Sequence, residues 1–259
     1  MGAIPSLMSI FAKLDGKKAL VTGASSAGFG RHFAHVLADA GAAVVVSARR
    51  KPALDELVQD IGGKGGKAAS VAMDVTDIAS VTAVMREHGP FDIVVNNAGV
   101  SVGNPILDQT EDDYDFVINT NLKGVWNVGK EAARGMKDAG IAGSIINIAS
   151  ITGLRQVQAI SPYAISKAGV IQMTKQMALE FARYNIRVNA IAPGYFESDL
   201  TRDYFKTERG QALIQRVPMR RLGDYKSLNG PLLLLASEDS TFITGSVIAV
   251  DGGHLLSPL

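Results

Sequence analysis

The chain has 259 residues, 47% of them hydrophobic, with 26 Lys+Arg against 25 Asp+Glu for a net charge of +1. That balance is ordinary for a globular protein and leaves no basic excess to hold nucleic acid or an anionic membrane. Cysteine is absent, which excludes disulfides, thiolate-bound metals and a thiol nucleophile, and suits the reducing cytoplasm.

Residues 1–14 include Ile4, Leu7, Met8, Ile10 and Phe11 but no basic leader and no long apolar run, so they read as an N-terminal extension and not a secretory signal. No stretch approaches the about 18 consecutive apolar residues of a membrane helix. Lys18–Thr22 is a predicted strand, followed by a glycine-rich turn and a helix over Arg31–Ala40 with Phe33, Val36 and Leu37 on one face and Gly41 as its stop. Val44–Val46 is the next strand, then a helix from Pro52 to Gly62–Gly63. A third strand covers Val71–Met73, and Asp77 caps a helix running to His88. Gly89–Pro90 turns the chain into a strand over Phe91–Asn96. A long helix over 111–137 precedes a strand at Ser144–Ala149, and another over 162–184 precedes a strand at Ile186–Ala192. Pro193–Gly194 opens a less regular stretch to Val217, read as a substrate lid over 193–217. A helix at Leu228–Ala236 and a strand at Val247–Val250 finish the chain. Apolar strands without polar alternation, separated by helices, predict an α/β fold with a doubly wound parallel sheet. No linker or composition shift divides residues 15–259, which read as one domain.

The turn Thr22-Gly23-Ala24-Ser25-Ser26-Ala27-Gly28-Phe29-Gly30 sits where such folds hold a dinucleotide. Glycines there let backbone approach the pyrophosphate, and the following helix offers free N–H groups. Gly23, Ser25, Ser26, Gly28, Phe29 and Gly30 are the candidate cradle. The second strand leads into Ser47-Ala48-Arg49-Arg50-Lys51, three cations and no carboxylate. A guanidinium suits the 2′-phosphate, so NADP(H) is the expected cofactor with Arg49 its contact, and NAD(H) the alternative.

Further motifs follow in order: Asn96-Asn97-Ala98-Gly99, Asn119-Thr120-Asn121-Leu122-Lys123-Gly124, Ser150, Tyr163-Ala164-Ile165-Ser166-Lys167, and Pro193-Gly194-Tyr195-Phe196-Glu197-Ser198. In this order and spacing the chain resembles the short-chain dehydrogenases/reductases from Gly16 to Gly253. The resemblance implies a Rossmann fold and hydride exchange between a nicotinamide and a ketone or secondary alcohol. It implies Ser150, Tyr163, Lys167 and Asn121 as the catalytic set. Lys167 would also hold the nicotinamide ribose, and Asn121 would bend its helix and hold a water linking the lysine to solvent. Cofactor contacts are implied at Asp74, Val75, Asn97, Ala98, Gly99, Tyr163, Lys167, Pro193, Gly194, Phe196 and Ser198. The two long helices would pair across a two-fold axis in a homotetramer or homodimer.

The chemistry agrees. Carbonyl reduction needs an acid for the developing alkoxide, and residues 163 and 167 share a helix face. A phenol titrates near 10 unperturbed, and an adjacent ammonium is expected to draw it down toward a working pH. Ser150 would donate to the same oxygen.

The glycine loop carries one residue more than the family's T-G-x-x-x-G-x-G spacing, with Ala27 or a neighbour the insertion. Leu154, Tyr195, Leu200, Tyr204 and Phe205 are candidate pocket residues for a fairly bulky apolar ketone. A 3-oxoacyl thioester reductase is the alternative. The positions where such enzymes carry arginines for the acidic carrier fall near Ile141 and on Leu179, both apolar. A nucleotide-sensing regulator without catalysis is a third reading, opposed by the intact Ser150, Tyr163 and Lys167. His32, His35, His88 and His254 show no metal-ligand spacing, and Trp126 reads as core or interface.

Overall fold

β1 (Lys18–Thr22), β2 (Ala43–Ala48), β3 (Lys67–Ala72), β4 (Ile93–Asn96), β5 (Ser144–Ile148), β6 (Arg187–Pro193) and β7 (Val247–Val250) pair in parallel as one sheet, ordered β3-β2-β1-β4-β5-β6-β7. This computed structural model describes residues 13–197 and 202–257. Ser198, Leu200 and residues 1–12 of the expected extension lie outside the described residues. Leu14, at the end of that extension, is buried in the core and donates its N–H to the Ala40 carbonyl.

Successive side chains along each strand bury into different layers, which is why the strands read as unbroken apolar runs. Ala19, Val21, Val44 and Val46 pack with helices α1 (Phe29–Asp39), α2 (Lys51–Gly63) and α9 (Asn229–Ala236). Leu20, Val45, Val94 and Ile145 pack on the other face with α3 (Ile78–His88), α5 (Gly124–Asp138) and α6 (Ser161–Phe181). Two short helices, α7 (Arg202–Lys206) and α8 (Glu208–Arg216), occupy the stretch that sequence left irregular. Asp77 caps α3 as expected, accepting from the Ala79 N–H at 2.9 Å.

Two departures have physical causes. The third strand begins at Lys67, four residues before the expected Val71, because it lies at the sheet edge and alternates exposed with half-buried positions. An apolar-run criterion misses such an edge strand. The long helix expected over 111–137 is interrupted: α4 (Glu111–Ile118) passes into a π-helical turn, Asn119–Lys123, before α5. Such a turn inserts one residue into the helical ladder and redirects a side chain, here Asn121.

Phe33 is fully buried between α1 and the sheet. Phe33→Ala is expected to lower unfolding free energy by about 3–5 kcal/mol in urea titration. A loss below about 1 kcal/mol would show that this layer does not hold the fold.

Candidate active site

Strand order reverses between β1 and β4, since connections leave β1 toward β2 and leave β4 toward β5. The crevice at the carboxyl ends of that pair is where open α/β sheets bind ligands. A side-chain staple fixes its floor. Thr22 Oγ1 accepts the N–H groups of Asn97 and Ala98, both at 3.0 Å. Asn97 Nδ2 returns the contact, donating to the Thr22 carbonyl at 2.9 Å and the Gly23 carbonyl at 3.2 Å.

The glycines of the loop do different jobs. Gly23 has φ +69°, and a Cβ there would lie 2.6 Å from Ala98 Cα. A Cβ at Gly30 would lie 2.5 Å from Asn97 Nδ2 and 2.6 Å from the Gly23 carbonyl oxygen. Around Gly28 there is nothing within 4 Å of that position. Gly23 and Gly30 are thus packing positions, and Gly28 lies on the open side of the loop. Helix α1 starts at Phe29 with no side-chain cap and no acid in its first turn. Its first N–H groups face outward for an anion. The Phe29 ring turns away from the loop's open side, onto Phe33, Phe196 and Tyr225. A cavity of about 320 Å³ opens beside the loop, lined in part by Ala27, Gly28, Arg31 and Arg202.

At the end of β2, Arg50 reaches across to the loop, beside Arg49, the expected 2′-phosphate contact. Arg50 Nη2 donates to Ser26 Oγ at 3.0 Å and to Ser25 Oγ at 3.3 Å, while Arg49 stands exposed on the same turn. After β3, the Asp74 carboxylate accepts from the N–H and hydroxyl of Thr76, and Val75 is held through its carbonyl by Asn127 Nδ2.

Four segments converge at the carboxyl end of β5. Ser150 opens a 3₁₀ turn, and its Oγ accepts from the Thr152 N–H at 3.1 Å and the Thr152 hydroxyl at 2.9 Å. Helix α6 presents Tyr163, half-buried, and Lys167, only 4% exposed. Lys167 Nζ donates to the Ile148 carbonyl at 2.7 Å and lies 5.6 Å from the centre of the Tyr163 ring. Gly99, after β4, brings backbone close to both Lys167 and Asn121. A Cβ there would sit 3.6 Å from Nζ and 3.4 Å from Asn121 Oδ1. Asn121 is fully buried in the π turn; its amide donates to the Val100 carbonyl and Ser166 Oγ and accepts from the Val100 N–H. Both amide hydrogens are thus engaged within the protein. Ser166 closes the circuit by donating to the Tyr163 carbonyl at 2.7 Å.

The expected effect of lysine on the phenol is not what the structure gives. Burial pushes the Tyr163 phenol above its ordinary range, and the Ser150 hydroxyl beside it pulls the other way. Lys167 directs its ammonium at a carbonyl and over the ring, and burial lowers it from 10.5 to about 8. Desolvation is the leading cause for both groups.

On the substrate side, Tyr195 is half-buried, its ring 5.0 Å from His254 and 6.3 Å from Phe205. Leu154 and Tyr204 are about half exposed, at 47% each. Phe205 points inward, at 5%, so it supports Tyr195 instead of lining a pocket. Phe196 is also buried, and its backbone forms a bridge with Gly223. Pro193 ends β6, and Gly194 passes close to Asp251, where a Cβ would lie 2.7 Å from its Cα. Sequence reasoning missed Thr22, Thr152, Ser166 and Arg155. A hydroxyl two residues after Ser150 was the one available signal, since Ser-x-Thr favours a side-chain turn. Among the described residues no group of three or more His, Cys, Asp or Glu is arranged to hold a metal, and no helix is long and apolar enough to cross a membrane.

A family model described as enoyl-(acyl carrier protein) reductase matches residues 23–254. The 3-oxoacyl-[acyl-carrier-protein] reductase FabG of Thermotoga maritima is 40% identical over 249 residues, 94% of this chain and 100% of that one. The chain belongs to the short-chain dehydrogenase/reductase family. This dehydrogenase/reductase is also similar to the gluconate 5-dehydrogenase of Gluconobacter oxydans, 37% identical over 94% of this chain and 96% of that one. The crystal structure of a gluconate 5-dehydrogenase from Burkholderia cenocepacia, in complex with NADP and tartrate, aligns with a TM-score of 0.90 at 37% identity, over 95% of this chain and 98% of that one. The enzyme is an NAD(P)-dependent oxidoreductase acting on CH–OH groups.

Thr22→Val is expected to strand the Asn97 and Ala98 N–H groups, costing about 1–3 kcal/mol of stability and weakening dinucleotide binding. Thermal melts and NADPH fluorescence titration would check this; unchanged affinity would separate the staple from the cofactor site.

Proposed function

We propose that the enzyme reduces a fairly bulky, largely apolar ketone, or oxidises the matching secondary alcohol, with NADP(H). The observation that carries this is the meeting of Ser150, Tyr163 and Lys167 at the end of β5, beside Gly99. The loop fits a dinucleotide: Gly28 is open, α1 is uncapped, and Arg50 stands over Ser25 and Ser26. Gly23, Gly28, Gly30 and the first N–H groups of α1 would hold the pyrophosphate, Arg50 the 2′-phosphate, and Lys167 the nicotinamide ribose. When bound, the nicotinamide supplies or accepts the hydride.

Tyr163 is the acid. Its raised pKa keeps the phenol protonated at neutral pH, ready to protonate the oxygen of a carbonyl undergoing reduction. Thr152 occupies the acceptor side of Ser150, which turns the serine O–H out toward that same oxygen. Lys167 is a cation below about pH 8 and steadies negative charge on the phenol after transfer. With both hydrogens of the Asn121 amide engaged, a relay water would be held by Oδ1 or by main chain. Leu154, Tyr195 and Tyr204 shape the apolar side of the pocket, under a lid formed by residues 193–217.

Reduction of a 3-oxoacyl thioester is the second reading, favoured by the 40% identity to the T. maritima reductase. Against it, Leu179 is 76% exposed on α6 and offers an acidic carrier no cation. Phe116, Trp126, Ile165 and Leu179 leave an apolar surface on α4, α5 and α6 that suits a homotetramer. We place the enzyme in the cytoplasm on its lack of cysteine.

Tyr163→Phe is expected to lower kcat by about 10²–10⁴-fold with NADPH affinity retained. In the wild type, alcohol oxidation needs the deprotonated phenol and rises with pH through the alkaline range, while ketone reduction needs the phenol and falls there. Steady-state assays over NADPH, a ketone panel and a 3-oxoacyl-CoA test both readings. Full activity in the phenylalanine variant sinks the mechanism, and turnover of the thioester alone selects the second reading. Arg50→Ala is expected to cut the preference for NADPH over NADH by about 10- to 100-fold, the loss of a charge-assisted contact; an unaltered ratio would move the 2′-phosphate contact elsewhere.

A further inference from the structure

The turn carrying Ser150 is a small rigid body. Gly153 N–H bonds the Ser150 carbonyl at 3.1 Å, and the N–H groups of Leu154 and Arg155 both bond the Ile151 carbonyl at 2.9 Å. One side of it lies on α6 at the catalytic lysine, where a Cβ on Gly153 would sit 2.6 Å from the Lys167 carbonyl carbon. Its far end, Arg155, reaches across the molecule: Nη1 donates to the His254 carbonyl at 2.7 Å and to Ser257 Oγ at 3.3 Å.

The segment it reaches is equally fixed. The Asp251 carboxylate accepts from the N–H groups of Gly253 and Leu255, and Gly252 and Gly253 take left-handed φ of +62° and +85°. Ser257 Oγ donates to the same His254 carbonyl at 2.9 Å. From this turn the His254 ring, 7% exposed, projects edge-on against Tyr195, and its Nδ1 is buried with no hydrogen-bond partner. Packing alone therefore orients that ring. Tyr195 in turn leans on Phe205 of α7.

We infer that Arg155 is a positioning residue that straps the turn His254–Leu256 to the turn bearing Ser150, and thereby sets the distance between the serine and the Tyr195 wall of the substrate pocket. Arg155 and His254 are 99 positions apart in sequence, so no local element holds these two turns in register. A half-buried guanidinium on a carbonyl is a charge-assisted bond and stronger than a neutral one. The strap touches neither phenol nor ammonium, and the glycine loop and Arg50 lie on other strands. Its loss should therefore be felt by substrates large enough to reach Tyr195, and not by the dinucleotide. The inference rests on the reading of Ser150 and Tyr195 proposed above.

Arg155→Gln and Arg155→Lys test it in the full-length enzyme, with a bulky aryl ketone and a small aliphatic ketone as substrates. The glutamine variant is expected to raise KM for the aryl ketone about tenfold, with KM for the small ketone and NADPH Kd within about twofold, and lysine to restore part of the loss. Equal losses on both ketones that track a fall in Tm would make the contact structural only and overturn the inference. Amide hydrogen exchange provides a readout independent of turnover. Faster exchange in both 150–155 and 253–257 of the glutamine variant is expected, and unchanged exchange there overturns the strap whichever substrate the enzyme uses. If the wild type turns over neither ketone, the substrate reading fails while the exchange result still decides the strap.

Discussion

A lysine ammonium is buried at the centre of this molecule, and much of the surrounding architecture follows from accommodating it. Lys167 donates to the Ile148 carbonyl at the end of β5, and that strand end is free to accept because the chain turns away at Ser150. Gly99, after β4, lies within contact distance of the ammonium, and Gly153 of the serine turn presses on the α6 backbone at Lys167. A side chain at Gly153 would collide with α6 itself. The π turn supplies the remaining wall by pressing Asn121 into a site that a regular helix would not reach. Burial has a thermodynamic sign. With its pKa lowered from 10.5 to about 8, Lys167 opposes folding most below pH 8, and the penalty is relieved as pH rises toward the unfolded value. The fold tolerates that penalty near neutrality, where the lysine is charged.

The arrangement of Tyr163 shows the same desolvation acting twice. The phenol and the ammonium share a helix face, yet their geometry is ring-over-cation and not oxygen-to-nitrogen. In a dry setting each group favours its neutral form, so the pair rests as a phenol beside a lysine of lowered affinity for protons. Such a resting state is suited to giving a proton away. Ser150, held by Thr152 from behind, adds direction without adding charge.

Much of this was legible in sequence, and the parts that were not share a cause. Strand and helix order followed from apolar runs because both faces of the sheet are covered, and Tyr163 and Lys167 stand as an i, i+4 pair on one long helix. Periodicity could not reveal the π turn, because inserting one residue shifts the helical phase without changing composition. Nor could it reveal β3's true start, since an edge strand half-exposes its residues. The bonds of Arg50 to Ser25 and Ser26 were not legible either, since they join residues 25 and 24 positions apart through exposed side chains. Arg155 carried no signal at all; its partners lie 99 and 102 residues away and one of them is a backbone carbonyl.

The glycine loop separates two demands that are usually discussed together. Gly23 and Gly30 are fixed by atoms of the protein itself, within 3 Å of where a side chain would start, whereas Gly28 has none within 4 Å. The inner pair is thus required by the packing of the fold whatever else it holds, whereas the space around Gly28 is left open by the protein. A side chain at Gly23 or Gly30 would therefore have to displace backbone or the Asn97 amide, while one at Gly28 would enter open space, so the loop tolerates substitution unevenly along its length.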